Sequence, residues 1–536
     1  MDMRLLKYLI FETVEREKKV MKKVIRTPDF PIVRTKQGKL HGYQEDDVFH
    51  FYGIRYGRAK RFQLPESEPK WDGIRDAKSY GYICPLMPEE EQPEDSPMAA
   101  PGNSFEMQHV YWPMNEQCLY LNIWTKHLDK EAKKPVMVWL HGGGFSSGSS
   151  IEIPAYNGHN LCDYGDIVIV NLNHRLNCIG FLDLSSYGEK YKYSGCVGMA
   201  DIVLALQWVR DNIEEFGGDP DNVTVAGQSG GGGKATILMQ MPPADGLYHK
   251  VISQSGALRN RPDISITEEK KHWQTLGEKT VEVLGLTKEN IDTIDDIPYE
   301  TLANAAVQAG KELGLPGGMM LFEPSPVEGY YEGLESIVGF REENRKIPVM
   351  AGTVLGEFSF MHYLGDKAQY TEVEKYNILE QTYGKHTMSI IKQFREIYPT
   401  LDILYALSVD TLFRPQTTAF LNRRSEFTKA KCYNYMMNFI IPYMGGLAPW
   451  HCSDIPYVFR NVEMEPAHCT GYQYAEKVQE KVSKAWIAFM KKGNPSTRLL
   501  KWSTYTKEHP DRMIFAEECG MEEKDDTELL KLIQNH

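Results

Sequence analysis

The chain has 536 residues, 42 % hydrophobic and 25 % charged, an ordinary globular composition that excludes disordered, collagenous and coiled-coil architectures and allows a large core. Sixty basic against 73 acidic side chains give a net charge of −13, without the broad positive field that nucleic-acid binding needs. The longest uninterrupted apolar runs, such as Val136–Leu140, fall far short of the ~20 residues of a membrane span.

The first residues, MDMRLLKYLIFETVEREKKVMKKV, do not read as a signal peptide, because Lys7 interrupts the apolar stretch and Glu12 and Glu15 close it. Leu5, Leu6, Leu9, Ile10 and Val14 fall at near-helical spacing, so residues 3–24 are expected to form an amphipathic helix. Residues 1–29 are then an N-terminal helical extension of a single catalytic domain, 30–536. Nine cysteines, an odd number with no CxxC pair, suit free thiols in a reducing, cytoplasmic setting. His451-Cys452 and His468-Cys469 are adjacent pairs without zinc-ligand spacing.

Candidate strands follow at 119–124, 136–140, 167–171, 223–226, 250–254, 347–351, 433–441 and 513–515. Several are hydrophobic throughout, as expected when both sheet faces are covered. Helical patterns at 200–216 and 474–491 lie among them, so the fold class is α/β with a mostly parallel sheet. Residues 84–118 are irregular, and 258–346 read as broken helix; both are expected as insertions at the carboxyl edge of the sheet, forming a cap or gorge wall.

Gly227-Gln228-Ser229-Gly230-Gly231 fits G-x-S-x-G, with an apolar strand running into it and a helical pattern leaving it. Such a sharp turn crowds the backbone, so glycines must flank the serine, whose oxygen then stands at a helix N-terminus favouring negative charge. A phosphate loop would need a hydroxyl after Lys234, where the chain has Ala235. Upstream, strand 136–140 ends in His141-Gly142-Gly143-Gly144-Phe145, an HGGG-type loop of the kind that sits beside the elbow in lipases and esterases. The backbone N–H groups of Gly143, Gly144 and Gly230 are the expected oxyanion donors.

An acid and then a histidine should follow, each just past a strand. Glu357 lies in the loop after 347–351, with Asp366 as its competitor; His451 lies on a glycine-rich loop after 433–441, with His468 as second choice. Ser229, Glu357 and His451 together make a nucleophile, an orienting acid and a base for acyl transfer, chemistry that requires no metal or organic cofactor.

These residues together resemble the type-B carboxylesterase family, the cholinesterase-like branch of the α/β-hydrolases, and more specifically a bacterial member. The resemblance extends over about residues 30–516 and includes Gly53-Ile54-Arg55-Tyr56-Gly57, Glu116–Asn122, the HGGGF loop, 216–224, the elbow and Ile455–Phe459. It implies an α/β-hydrolase fold, hydrolysis of small-molecule carboxylic esters, a disulfide position at Cys84 and Cys118, structural ion pairs Arg61–Glu116 and Arg175–Asp201, and Ser255 as a support for the acid. Gln228 and Gly230 depart from the family's usual Glu and Ala, and Gln117 from its Asp. The competing readings are a lipase with 104–114 as an apolar lid, and a non-catalytic binding protein. Substrate groups and oligomeric state are not encoded in these motifs.

Overall fold

A computed structural model describes residues 23–88, 109–257, 260–469, 471–523 and 525–535. The helix expected over 3–24 lies outside them apart from Lys23 and Val24, and Val24 belongs to a short strand rather than a helix.

The main sheet is built from twelve strands among the described residues: β1 (Val24–Ile25), β2 (Tyr43–Glu45), β3 (Val48–Arg55), β4 (Tyr120–Thr125), β5 (Lys134–Leu140), β6 (Val168–Leu172), β7 (Gly218–Gln228), β8 (Lys250–Gln254), β9 (Val349–Val354), β10 (Cys432–Met437), β11 (Arg512–Phe515) and β12 (Gly520–Glu522). Their spatial order is β1-β2-β3-β4-β6-β5-β7-β8-β9-β10-β11-β12. From β6 to β11 every pairing is parallel; the strands at both edges are antiparallel.

Each apolar strand serves two faces. In β5, Val136, Val138 and Leu140 enter one core with Val223, Val225, Ile202 and Val209, whereas Met137 and Trp139 enter the other with Trp486, Val482 and Phe489. Helix α1 (His159–Gly165) lies at the antiparallel side, α2 (Val197–Asn212) covers the first face and α5 (Tyr472–Lys492) the second. Within the segment expected as an insertion, helices Ile266–Val283 and Tyr299–Glu312 bury Trp273, Leu276, Leu302 and Ala306 in the same core as the sheet.

The strand expected over 433–441 ends at Met437. Its ladder partner β11 stops at Phe515, which accepts a last bond from Asn438 N–H, and the chain then turns toward Pro442. No strand was expected before residue 119, yet β1 to β3 extend the sheet on that side. Glycine and a register shift between Phe51 and Ile54 break their alternation.

The parallel order matters for function. The chain steps from β5 outward to β6, then crosses back to lay β7 on the other side of β5. At this reversal the carboxyl ends of β5 and β7 lie side by side, the position at which open α/β sheets carry their ligand crevice. The first loop is the glycine loop, and the second carries Ser229.

Candidate active site

Ser229 joins β7 to helix α3 (Gly230–Ile237) with φ 57° and ψ −129°. A non-glycine residue in this region is strained by about 1–3 kcal/mol. The strain is held by Ser229 N–H donating to Gln254 O (2.8 Å) and Gly233 N–H donating to Ser229 O (3.0 Å). The flanking glycines are required by close approach: a Cβ on Gly231 would lie 1.9 Å from Leu140 O, and one on Gly227 2.4 Å from the Gly231 carbonyl carbon. Ser229 is half-buried, while Gln228 and Gly230 on either side are buried.

The glycine loop runs directly against the elbow. A Cβ on Gly230 would fall 2.2 Å from Gly144 O, so the two backbones touch with no side chain between them. Gly143 and Gly144 have φ 80° and 60°, and among the described residues their N–H groups enter no protein hydrogen bond. Gly230 is the first residue of α3, where N–H groups have no intrahelical acceptor. Lys234, one turn into α3, is buried and donates to His141 O at 3.1 Å, behind the glycine loop. Burial lowers its pKa to about 7.

On the other side of the crevice, Glu357 is fully buried in the loop after β9. One carboxylate oxygen accepts from Ser255 Oγ–H (2.6 Å) and Val354 N–H (3.2 Å); the other lies 2.5 Å from His451 Nδ1. Every position of Glu357 is thus committed to holding the imidazole. His451 N–H also donates to Glu357 O at 2.8 Å. Phe413 stacks on the imidazole with centroids 4.8 Å apart, and Phe358 lies at 6.2 Å. Burial by itself would lower the His451 pKa; the hydrogen bond and charge of Glu357, with Asp454 and Asp410 behind it, outweigh burial and raise it.

Asp366 instead caps a short helical turn through Ala368 N–H. His468 is a buried core residue bonded to Ser453 O, and burial lowers its pKa to about 4. Ser255, Arg61–Glu116 and the bidentate Arg175–Asp201 pair (2.7 and 2.8 Å) occupy the positions the resemblance implied. Cys84 and Cys118 are buried neighbours and carry free thiols.

Asp454 and Arg414 were not singled out from the sequence, and Gln228 was noted only as a departure from the family's Glu. Gln228 Nε2 lies 3.3–3.4 Å from both ring nitrogens of His451, and its Oε1 accepts from Cys452 Sγ–H at 3.0 Å. Asp454 accepts from Gln254 and Tyr435, each at 2.9 Å; burial and the Glu357 charge raise its pKa to about 6. Arg414, in α4 (Phe413–Phe427), donates to the carbonyls of Leu355 (2.7 Å) and Val354 (3.4 Å), just upstream of Glu357, and pairs with Asp526 at 2.9 Å. The one sequence signal for Asp454 is its place three residues after His451.

Residues 29–532 match the model of the carboxylesterase family. The para-nitrobenzyl esterase of Bacillus subtilis is 32 % identical over 93 % of this chain and 97 % of its own length. The phenmedipham hydrolase of Pseudarthrobacter oxydans is 28 % identical, covering 91 % and 95 %. Among solved structures, an esterase from anaerobic Clostridium hathewayi that can hydrolyse aliphatic aromatic polyesters superposes with a TM-score of 0.86 at 40 % identity, over 96 % of this chain and 100 % of its own. With the parallel sheet and the elbow at its switch point, these likenesses identify the chain as a member of the carboxylesterase family, a carboxylic-ester hydrolase of the α/β-hydrolase fold.

Proposed function

We propose that ester cleavage runs through Ser229 as nucleophile, His451 as base and Glu357 as orienting acid, with Gly143, Gly144 and Gly230 as oxyanion donors. The observation that carries this assignment is the strained, half-buried Ser229 next to Gly230, whose backbone packs on Gly144, in a loop where the Gly143 and Gly144 N–H groups have no protein acceptor among the described residues. His451 Nε2 takes the Ser229 proton as Oγ attacks the ester carbonyl carbon. The carbonyl electrons move onto oxygen, which the three N–H groups hold in place of solvent. Collapse expels the alcohol, which receives the proton from His451, and leaves an acyl-enzyme. Water repeats the sequence, and the acid departs. Glu357 keeps the Nδ1 proton in place, so that Nε2 presents its lone pair, and it stabilises the imidazolium formed in each half.

The substrates are small-molecule esters with apolar groups on both sides of the scissile bond. Met319, Phe358, Met361 and Leu412 are exposed, and the last three line one surface cavity. Met319 O lies against Gly144 and accepts from Ser146 Oγ–H, and Phe358 faces His451. The polyester activity of the Clostridium esterase suits such a rim and extends the reading to aromatic diesters. Of the segment 104–114 expected as lid or gorge wall, residues 104–108 lie outside the described residues.

Hydrolysis of p-nitrophenyl esters from acetate to palmitate, with diethyl terephthalate alongside and Ser229→Ala as control, tests both parts. Loss of at least ~10³-fold in kcat for the variant is expected. Retention of activity in Ser229→Ala overturns the nucleophile, and a rate that rises only with emulsified long chains overturns the esterase reading.

A further inference from the structure

At the opposite side of the sheet from the catalytic loops, a second group of chemically capable side chains converges. Strands β2 and β3 form a hairpin in which Tyr43 faces His50 and Glu45 faces Val48. By strand alternation Tyr43, Glu45, His50 and Tyr52 share one face. Helix α1 rests on that face and presents its first residue, His159. His50 Nε2 and His159 Nδ1 stand 3.1 Å apart, and a Glu45 carboxylate oxygen lies within 4.8 Å of both. Both histidines are buried, and Glu45 is half-buried. β4, β6 and β5 separate this cluster from β7 and Ser229.

We propose that Glu45, His50 and His159 bind a divalent transition-metal ion, zinc in the first instance. A zinc ion about 2.0–2.1 Å from two nitrogens 3.1 Å apart subtends an angle of about 100°, near tetrahedral. The carboxylate reaches the same ion by a small movement of a side chain partly in solvent. Two imidazoles and one carboxylate are a donor set suited to zinc and its neighbours rather than to calcium or magnesium. Three protein ligands leave a fourth position for water.

The surroundings of His50 are those of a metal ligand. Its Nδ1 lies 2.6 Å from Tyr52 Oη, and that oxygen accepts from Trp124 Nε1–H at 3.1 Å and from Tyr43 Oη–H at 3.3 Å. Tyr52 thus holds the Nδ1 side of the ring, and Nε2 is the nitrogen that meets His159. Tyr43 stacks on the His50 ring at 4.6 Å and fixes its plane. The ion would tie the β2–β3 hairpin to α1 across the contact that His50 and His159 already make.

The test uses the full chain, stripped with a chelator and titrated with Zn²⁺ by calorimetry and with Co²⁺ by visible absorption. One equivalent is expected at micromolar affinity or tighter, with the d–d absorption of four- or five-coordinate cobalt and a rise in Tm on adding Zn²⁺. Glu45→Gln and His159→Asn should each weaken binding by at least ~10-fold while keeping cooperative melting and hydrolysis of p-nitrophenyl acetate. The wild-type stoichiometry and cobalt spectrum stand even where a variant fails to fold. No binding at micromolar metal, an octahedral cobalt spectrum, or unaltered binding in either folded variant overturns the site.

Discussion

Replacing Gln228 by Glu places a carboxylate where an amide now lies 3.3 Å from His451 Nε2 and 3.4 Å from Nδ1. At an effective dielectric of about 20, a unit charge at about 3.3 Å from an imidazolium attracts it by about 5 kcal/mol. That is an upper limit, since Gln228 is fully buried and the new carboxylate must itself be desolvated. A net rise of about 1–2 units in the His451 pKa is what remains after that cost. The base must be neutral to accept the serine proton, so the acid limb of kcat/KM should move upward by the same amount. Activity at pH 6 then falls about 10-fold or more, while activity at pH 9 is nearly unchanged. The assay is the pH profile of p-nitrophenyl acetate hydrolysis for both proteins at constant ionic strength. An acid limb that stays within ~0.3 units of wild type refutes the reasoning: either His451 is not the base or residue 228 does not face it.

Three further outcomes follow from the same geometry. Glu357→Gln presents an amide N–H to His451 Nδ1 and traps the tautomer whose Nε2–H faces Ser229, so kcat should fall about 10⁴-fold with little change in KM, read by steady-state kinetics. Asp526→Asn leaves Arg414 and Arg512 without their buried carboxylate (2.9 and 2.7 Å) and should cost about 3–5 kcal/mol in denaturant unfolding. The Asp526 pKa is lowered to about 2, with burial opposing and the two arginines prevailing. Its contribution is therefore complete above the unfolded value of about 4 and is lost as pH falls toward 2, so wild type and variant should converge in acid. Lys234→Met removes a buried ammonium whose pKa burial lowers from 10.5 to about 7. The folded state binds that proton less well than the unfolded one, so the penalty is complete below pH 7 and fades toward pH 10. The variant should gain about 2–4 kcal/mol at pH 6 and clearly less at pH 9, and an equal gain at both would refute a charged lysine.

The parallel half of the sheet was legible because its strands are buried on both faces and therefore read as unbroken apolar runs, as in 136–140 and 250–254. The hairpin Tyr43–Arg55 was not, because glycines and histidines interrupt its pattern and its partner strand Tyr120–Thr125 is distant in the chain. Ser229 and the glycine loop are local motifs, and their geometry follows from backbone crowding that only glycine relieves. Glu357 and His451 were found by their order after strands. The groups that tune them were hidden for a different reason. Asp410, Asp454 and Arg414 act through space, and such a contact leaves no periodicity or spacing to read; Gln228 was visible as a departure within its motif, but its contact with His451 was not.

Arg414 reaches from the carbonyls of Val354 and Leu355 to Asp526. In the order of translation, Ser229, Glu357 and His451 all precede Asp526. A nascent chain therefore holds the three residues of the proposed triad before it holds the carboxylate that pairs with Arg414, and the loop carrying Glu357 gains that anchor only after the strands of the sheet have been synthesised.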